Sequence, residues 1–161
     1  MKKAPFCAVV TKKNKRNGKN IMNIKLLDKA NELIKSFEYA SFGVIDENGY
    51  PSASAIILCN PKNISGLYFI TTMDSNKAKR LQGNNRASIN CYTTDNNLTL
   101  VGEAEIITDQ EAKNEHWNKW IEQGVDIYAD GVTDPNYCFI RFITKRVSLW
   151  IDDEGAEFMF D

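Results

Sequence analysis

The stretch from Gly66 to Asp109 constrains the fold more than any other part of the chain. An apolar, aromatic run, Gly-Leu-Tyr-Phe-Ile, ends in Thr71 and Thr72. One short turn later a helix opens with Ser75 and Lys77 in its first turn, and Gly83-Asn84-Asn85 ends it. Two strand-like runs follow, Arg86–Tyr92 and Leu98–Ile107, with Asp95-Asn96-Asn97 between them. In the second, Leu98, Leu100, Gly102, Ala104 and Ile106 recur at every other position, the period of a strand with one buried face. Gly102 and Ala104 leave room on that face for something to pack closely.

The flanking segments extend the pattern. Leu26, Ala30, Leu33, Ile34 and Phe37 recur at helical spacing, with Asn23 placed to cap the helix. Ala40–Asp46 and Pro51–Leu58 flank a turn carrying Asn48-Gly49 and predict a β-hairpin. Thr108-Asp-Gln-Glu111 reads as a capping box opening a helix to about Gln123. Gly124–Pro135 reads as a loop, Tyr137–Thr144 and Arg146–Ile151 as two strands, and Ala156–Phe160 as a last edge. Six or seven antiparallel strands with three helices predict a mainly β domain. It is either a small closed or nearly closed barrel with peripheral helices, or a β-sandwich.

Composition narrows the class. The chain has 161 residues, 43% hydrophobic and 25% charged, as expected of one globular domain. No apolar run approaches the ~18 residues of a membrane span, and Ala4–Val10 is too short for a signal-peptide core. Cys7, Cys59, Cys91 and Cys138 are widely spaced, without a Cys-x-x-Cys pair, which points to a reducing, cytoplasmic compartment. The net charge of −1 hides an asymmetry: residues 1–21 carry seven basic side chains and no acid. They read as a disordered extension, or as sequence upstream of a true start at Met22, ahead of a domain at 22–161. A nucleic-acid-binding arm is the other reading. The acidic domain behind it, which would repel phosphates, argues against that.

Thr71, Thr72, Ser75, Asn76 and Lys77 bring hydroxyls, free backbone amides and an ammonium together at a helix N-terminus. Such a set can cradle a phosphate dianion, and a phosphate-bearing cofactor would supply chemistry that the side chains lack. An ordinary helix cap would use the same residues. The strand Pro51–Leu58 alternates small residues, so a flat ring could lie against it, or it could simply pack tightly. Trp117, Trp120 and Trp150 read first as core or interface anchors. His116 is the only histidine, and no credible Ser–His–Asp set accompanies it. Asp126, Asp130 and Asp134 lack calcium-loop spacing and read as turn residues.

Taken together, several segments carry a family resemblance: Ala-Ser-Phe-Gly-Val-Ile-Asp with Gly49-Tyr50-Pro51, Leu-Tyr-Phe-Ile-Thr-Thr with Ser75-Asn76-Lys77 and Leu81, Val101-Gly102-Glu103-Ala104-Glu105, Glu115-His116-Trp117, Asp134-Pro135 and Leu149-Trp150. Over roughly 22–152 the chain resembles the pyridoxamine 5'-phosphate oxidase-like FMN-binding split barrels, and within them the general stress protein branch. The resemblance implies a six-stranded antiparallel split β-barrel and a homodimer with two FMN sites at the subunit interface. It places Thr71, Thr72, Ser75, Asn76 and Lys77 on the phosphate and ribityl chain, and Ser54, Ala55 and Ile56 along the isoalloxazine edge. Trp117 and Trp150 would be added across the interface. The implied function is that of an FMN-dependent oxidoreductase acting on a small molecule, or else a flavin-binding stress or carrier protein without turnover. The full oxidases place arginine before the phosphate-loop lysine, where this chain has Asn76. They also carry a C-terminal arginine cluster that has no counterpart here. Both departures argue against pyridoxamine phosphate as the substrate.

Overall fold

The computed structural model describes residues 9–10, 17–59, 61–122 and 128–160, without the side chains of 9–10, 17–23 and 119–122. Cys7, Asp126, the side chain of Trp120 and most of the basic arm lie outside that set. Val9–Val10 form a two-residue strand, β1, and helix α1 runs Asn17–Leu33 with a single 3-10 turn after it. Asn23 therefore lies inside α1 and is not its cap. The apolar periodicity begins only at Leu26, but no proline interrupts the helix-compatible residues before it, so the helix starts earlier. Leu26, Ala30 and Ile34 from this segment are buried in the main core.

Strands β2 (Tyr39–Ile45) and β3 (Pro51–Ile57) form the expected hairpin. Its turn is held by Asp46, whose Oδ1 accepts from the N–H groups of Asn48 at 2.9 Å and Tyr50 at 2.8 Å. Gly49 sits there at φ +84°, a conformation side chains disfavour. β4 (Gly66–Thr72), α2 (Asn76–Gly83), β5 (Arg86–Tyr92), β6 (Asn97–Ile107), α3 (Gln110–Glu122), β7 (Tyr137–Ile151) and β8 (Glu154–Phe160) complete the chain. The cap of α3 is Asp109, whose Oδ1 accepts from Ala112 N at 2.9 Å, so the box expected at Thr108 is shifted by one residue.

All strands belong to one antiparallel sheet ordered β1-β8-β7-β6-β5-β2-β3, with β4 also on β7. That rules out a two-sheet sandwich. Tyr137–Thr144 and Arg146–Ile151 are two halves of the single strand β7. One edge of β7 pairs with β6 from Phe139 to Trp150. The other edge pairs with β4 up to Ile143 and with β8 from Arg146 onward. At the changeover Lys145 is the extra residue of a bulge opposite Val101 and Gly102. The buried Thr144 hydroxyl donates there to the Ile64 carbonyl, and Thr144 N–H bonds the Ser65 carbonyl at 3.0 Å. Strands β2 to β7 thus curl into a six-stranded barrel, and β8 and β1 continue the sheet beyond it. The barrel seam lies between β3 and β4, where Cys59 N donates to Tyr68 O at 3.3 Å.

The room beside Gly102 is filled by β7's own backbone. A Cβ there would lie 2.0 Å from the Ile143 carbonyl oxygen. The main core fills the barrel, with Phe42, Phe69, Ile89, Leu100 and Phe142 fully buried. A second cluster of Cys59, Ile70, Tyr128, Tyr137 and Phe139, joined by Trp117, contains residues of β4, β7 and α3. Gly102→Ala should therefore cost about 3 kcal/mol in urea unfolding, because backbone must move. Gly83→Ala, whose Cβ meets nothing within 4 Å, should stay within about 1 kcal/mol of the parent. Equal losses for the two would contradict the close approach at the bulge.

Candidate functional site

The seam between β3 and β4 opens toward α2. β4 carries Thr71 and Thr72 at its end, and three residues later Ser75 caps α2, its Oγ accepting from Ala78 N at 3.2 Å. The helix is amphipathic: Ala78 and Leu81 are buried, and Leu81 joins the barrel core. Its first turn leaves the N–H groups of Asn76 and Lys77 without intrahelical acceptors. Lys77 is half-buried and makes no ion pair among the described residues. Arg80, one turn on, is committed elsewhere. It donates to Ser52 Oγ at 2.7 Å and pairs with Glu47 at 3.5 Å, tying α2 to the β2–β3 hairpin.

Counting protons assigns directions to the hydroxyls. Thr71 Oγ1 and Ser75 Oγ lie 3.0 Å apart, and Thr71 is buried. With Thr71 donating to Ser75, no buried hydroxyl proton is stranded, and Ser75 keeps its own proton for an outside acceptor. The Thr72 hydroxyl faces the Asp74 carboxylate and is the main group that holds it below its usual range. Below them, the Tyr128 hydroxyl donates to Thr71 O at 2.6 Å, and burial pushes that phenol well above its ordinary range.

β3 is an edge strand, with Ala53, Ser54 and Ala55 exposed. Beyond its pairing with β2 it presents unpaired backbone groups along the seam. Ile56 points its side chain into the core, so only its backbone faces outward. A groove of about 560 Å³ lies over this strand and its neighbours, lined by Tyr39, Ser41, Ala53, Ala55, Asn90 and Tyr92. A larger groove of about 920 Å³ beside α1 mixes lysines with acids and touches none of these residues.

The two tryptophans separate. Trp117 packs edge-on to Tyr137 at 5.1 Å and near Tyr128 at 6.2 Å, beneath the Thr71–Thr72 end of β4. Trp150 is half-exposed and stands in register with Asn97, which faces Tyr92. That row crosses the sheet at the end of the barrel away from α2. Along β7 it lies thirteen residues from Tyr137, the partner of Thr72, or roughly 40 Å. Within one chain Trp150 does not join the phosphate-type cluster. His116 is half-buried against Tyr68 at 4.7 Å and Phe139 at 4.8 Å.

Sequence patterns gave no sign of three participants. Lys113, 5% exposed, donates to the Asp134 carbonyl at 3.1 Å, with its ammonium 4.9 Å from the Tyr137 ring centroid. Asn136 binds the loop before α2 at two points, 2.9 Å and 3.1 Å. Asp74 had no role in the pattern at all. Only the Asp134-Pro135 turn signal pointed to that region. No group of three or more metal-ligating side chains occurs among the described residues.

Residues 26–151 match the sequence profile of the family described as pyridoxamine 5'-phosphate oxidase. The chain belongs to this family. A Clostridium acetobutylicum protein related to general stress protein 26 of B. subtilis is 26% identical, with a TM-score of 0.72 over 84% of this chain and 94% of that one. General stress protein 26 from Bacillus anthracis shares the fold at 20% identity and TM-score 0.64, over 81% of this chain and 97% of its own. A pyridoxamine 5'-phosphate oxidase-related, FMN-binding protein from Nostoc punctiforme shares it at 18% and 0.53, over 80% and 81%. No curated protein matches the chain. No helix among the described residues is long and apolar enough to cross a membrane.

In this family member the thiols around the site are inert. Burial pushes Cys59 and Cys91 up to about 12, and Cys138, whose Sγ donates to Thr71 O at 3.4 Å, to about 11. At pH 8 each is almost wholly protonated, and the thiolate is the reactive form. Iodoacetamide at pH 8 should leave these three unlabelled in the native protein and label all three in denaturant, as read by peptide mass spectrometry. Rapid native labelling of Cys91 would mean that the groove floor is open.

Proposed function

We propose that the chain binds FMN along β3, with the phosphate at the N-terminus of α2, and serves as an oxidoreductase for a small molecule. The observation that carries this reading is a helix tied to the exposed small-residue edge strand through Arg80 and Ser52, with a lysine in its first turn that has no carboxylate partner among the described residues. Family membership supports it, and so does the FMN-binding relative with the same fold.

The residues present fit such a ligand. Ser75 Oγ–H, the N–H groups of Asn76 and Lys77, and the Lys77 ammonium are the donors for a phosphate dianion. Thr71 orients Ser75. Thr72 holds the loop and donates elsewhere, so its part is positional. Ala53, Ser54 and Ala55 present no side chain large enough to keep a flat ring off the strand, and backbone groups of 54–56 meet its heteroatoms. Bound FMN would supply the hydride or electron chemistry. The groove lining offers Tyr92 as a hydrogen-bond donor, whereas the Tyr39 hydroxyl is engaged by Glu38, and no histidine or carboxylate is among the described residues that line it, so the chain contributes binding, orientation and partial exclusion of water.

A second copy of the chain completes the site in this reading. Tyr39 at 56% exposure, Tyr92 at 70% and Trp150 at 50% form an apolar patch that a lone chain leaves in water. A homodimer would cover the patch and close the groove, and it offers a route by which Trp150 could reach a ring bound to its neighbour.

Titration with FMN, followed by quenching of flavin fluorescence, tests the site. Lys77→Ala should weaken binding by roughly ten- to hundredfold, the range for losing bonds to a charged group. A protein that binds no FMN would end the flavin reading. Saturable reduction of the bound flavin by NADH, NADPH or another donor would mark an enzyme, whereas tight binding without reduction would mark a carrier.

A further inference from the structure

The loop that presents the phosphate-type donors is not held by the β4–β7 ladder, which ends at Thr72 and Tyr137. Met73 and Asp74 lie beyond it, and their placement decides where Ser75 and α2 begin. We infer that Asn136 is the positioning residue of this site, clamping Met73 and Asp74 so that the Ser75–Lys77 donors face the ligand. Met73 N donates to Asn136 O at 2.9 Å, and Asp74 N donates to Asn136 Oδ1 at 3.1 Å. The Thr72 hydroxyl first, and then the Asn136 side chain, hold the Asp74 carboxylate below its usual range. Lys79 is the cation that acts on this carboxylate. The Lys77 ammonium is left for the ligand.

Asn136 is itself anchored from α3. Its N–H donates to Asp134 Oδ1 at 2.8 Å, and Tyr137 N donates to Asp134 O at 3.1 Å. The same carbonyl receives the buried Lys113 ammonium. A continuous path therefore runs from Lys113 through Asp134 and Asn136 to Asp74 and Thr72. Asparagine is the residue type this place requires. One end must accept a backbone proton while the other donates to an ionised carboxylate, and only an amide side chain does both at that length.

The inference rests on the flavin reading for its ligand, but the clamp has its own readout. Asn136→Asp sets two carboxylates face to face, raising the affinity of the pair for a proton. At pH 8 this variant should bind FMN roughly tenfold more weakly than the parent. The ratio of variant to parent Kd should shrink as the pH is lowered from 8 to 5.5, the direction in which the raised proton affinity of the pair acts. Taking the ratio removes the titration of the FMN phosphate itself. Adding Asp74→Asn to Asn136→Asp exchanges the two roles and should restore binding to within about threefold of the parent. In parallel, amide hydrogen exchange at Met73 and Asp74, read by NMR without flavin, should accelerate in the single variant and slow again in the double. A single variant that binds FMN like the parent at both pH values, or a double no better than the single, would overturn the positioning role. Should the parent bind no FMN while exchange follows the swap, the flavin reading falls and the clamp stands. Exchange that ignores the swap overturns the clamp whatever FMN does.

Discussion

The partition of one edge of β7 between β4 and β8 governs the rest of this molecule. A fifteen-residue strand paired along both edges with the same neighbours would leave a closed wall. Instead, the bulge at Lys145 and the Thr144 bonds to the Ile64 and Ser65 carbonyls turn β4 inward and send β8 away from it. β4 then crosses the barrel toward β3 without zipping onto it. The seam left between them is bordered by the exposed edge strand β3 and by the end of β4 that carries Thr71 and Thr72 ahead of α2. Because the bulge needs Gly102 for the Ile143 carbonyl to pass, a feature of the barrel wall also fixes the geometry of the opening.

How much of this was legible in the sequence depended on whether a signal was periodic or positional. The alternation in β6, the hairpin around Asp46–Tyr50 and the helix after Thr72 are local patterns, and the structure follows them. The division of β7 into two strands failed because sequence period reports faces and not partners. Lys145 sits between two regular halves, and nothing local reveals that the partner changes there while the strand continues. The start of α1 and the cap of α3 missed for a different reason. Apolar spacing marks the stretch of helix that packs, whereas backbone hydrogen bonding extends beyond it, and either Thr108 or Asp109 is a sound cap residue until geometry chooses.

The candidate site divides in the same way. That Ser75 and Lys77 stand in the first turn of a helix after a strand was readable, because capping residues mark a helix start. Thr72 looked equivalent to Thr71, and only the position of Asp74 separates them. Thr71 stands against the Ser75 hydroxyl, whereas Thr72 faces a carboxylate. Asn136 and Lys113 were invisible because their contribution is long-range: they meet the loop only after α3 and β7 have folded against β4.

Charge alone would place this site poorly. On α2, Arg80 is engaged by Ser52 and Glu47 and stabilises the hairpin, whereas Lys77 has no acid partner among the described residues. A single unpaired ammonium attracts any anion. It becomes selective for a tetrahedral oxyanion only when oriented donors stand beside it, because donors fixed before binding do not have to be ordered by the ligand. Here that orientation is inherited layer by layer. The buried Lys113 fixes the Asp134 carbonyl, Asp134 fixes Asn136, Asn136 fixes Met73 and Asp74, and the loop fixes Ser75 at the head of α2. The second cluster under α3, with Tyr128 bonded to the Thr71 carbonyl, supports the same loop from the β4 side. The aromatic cluster outside the barrel thus has a role beyond covering sheet surface: it is the rigid backing against which the donors are aimed.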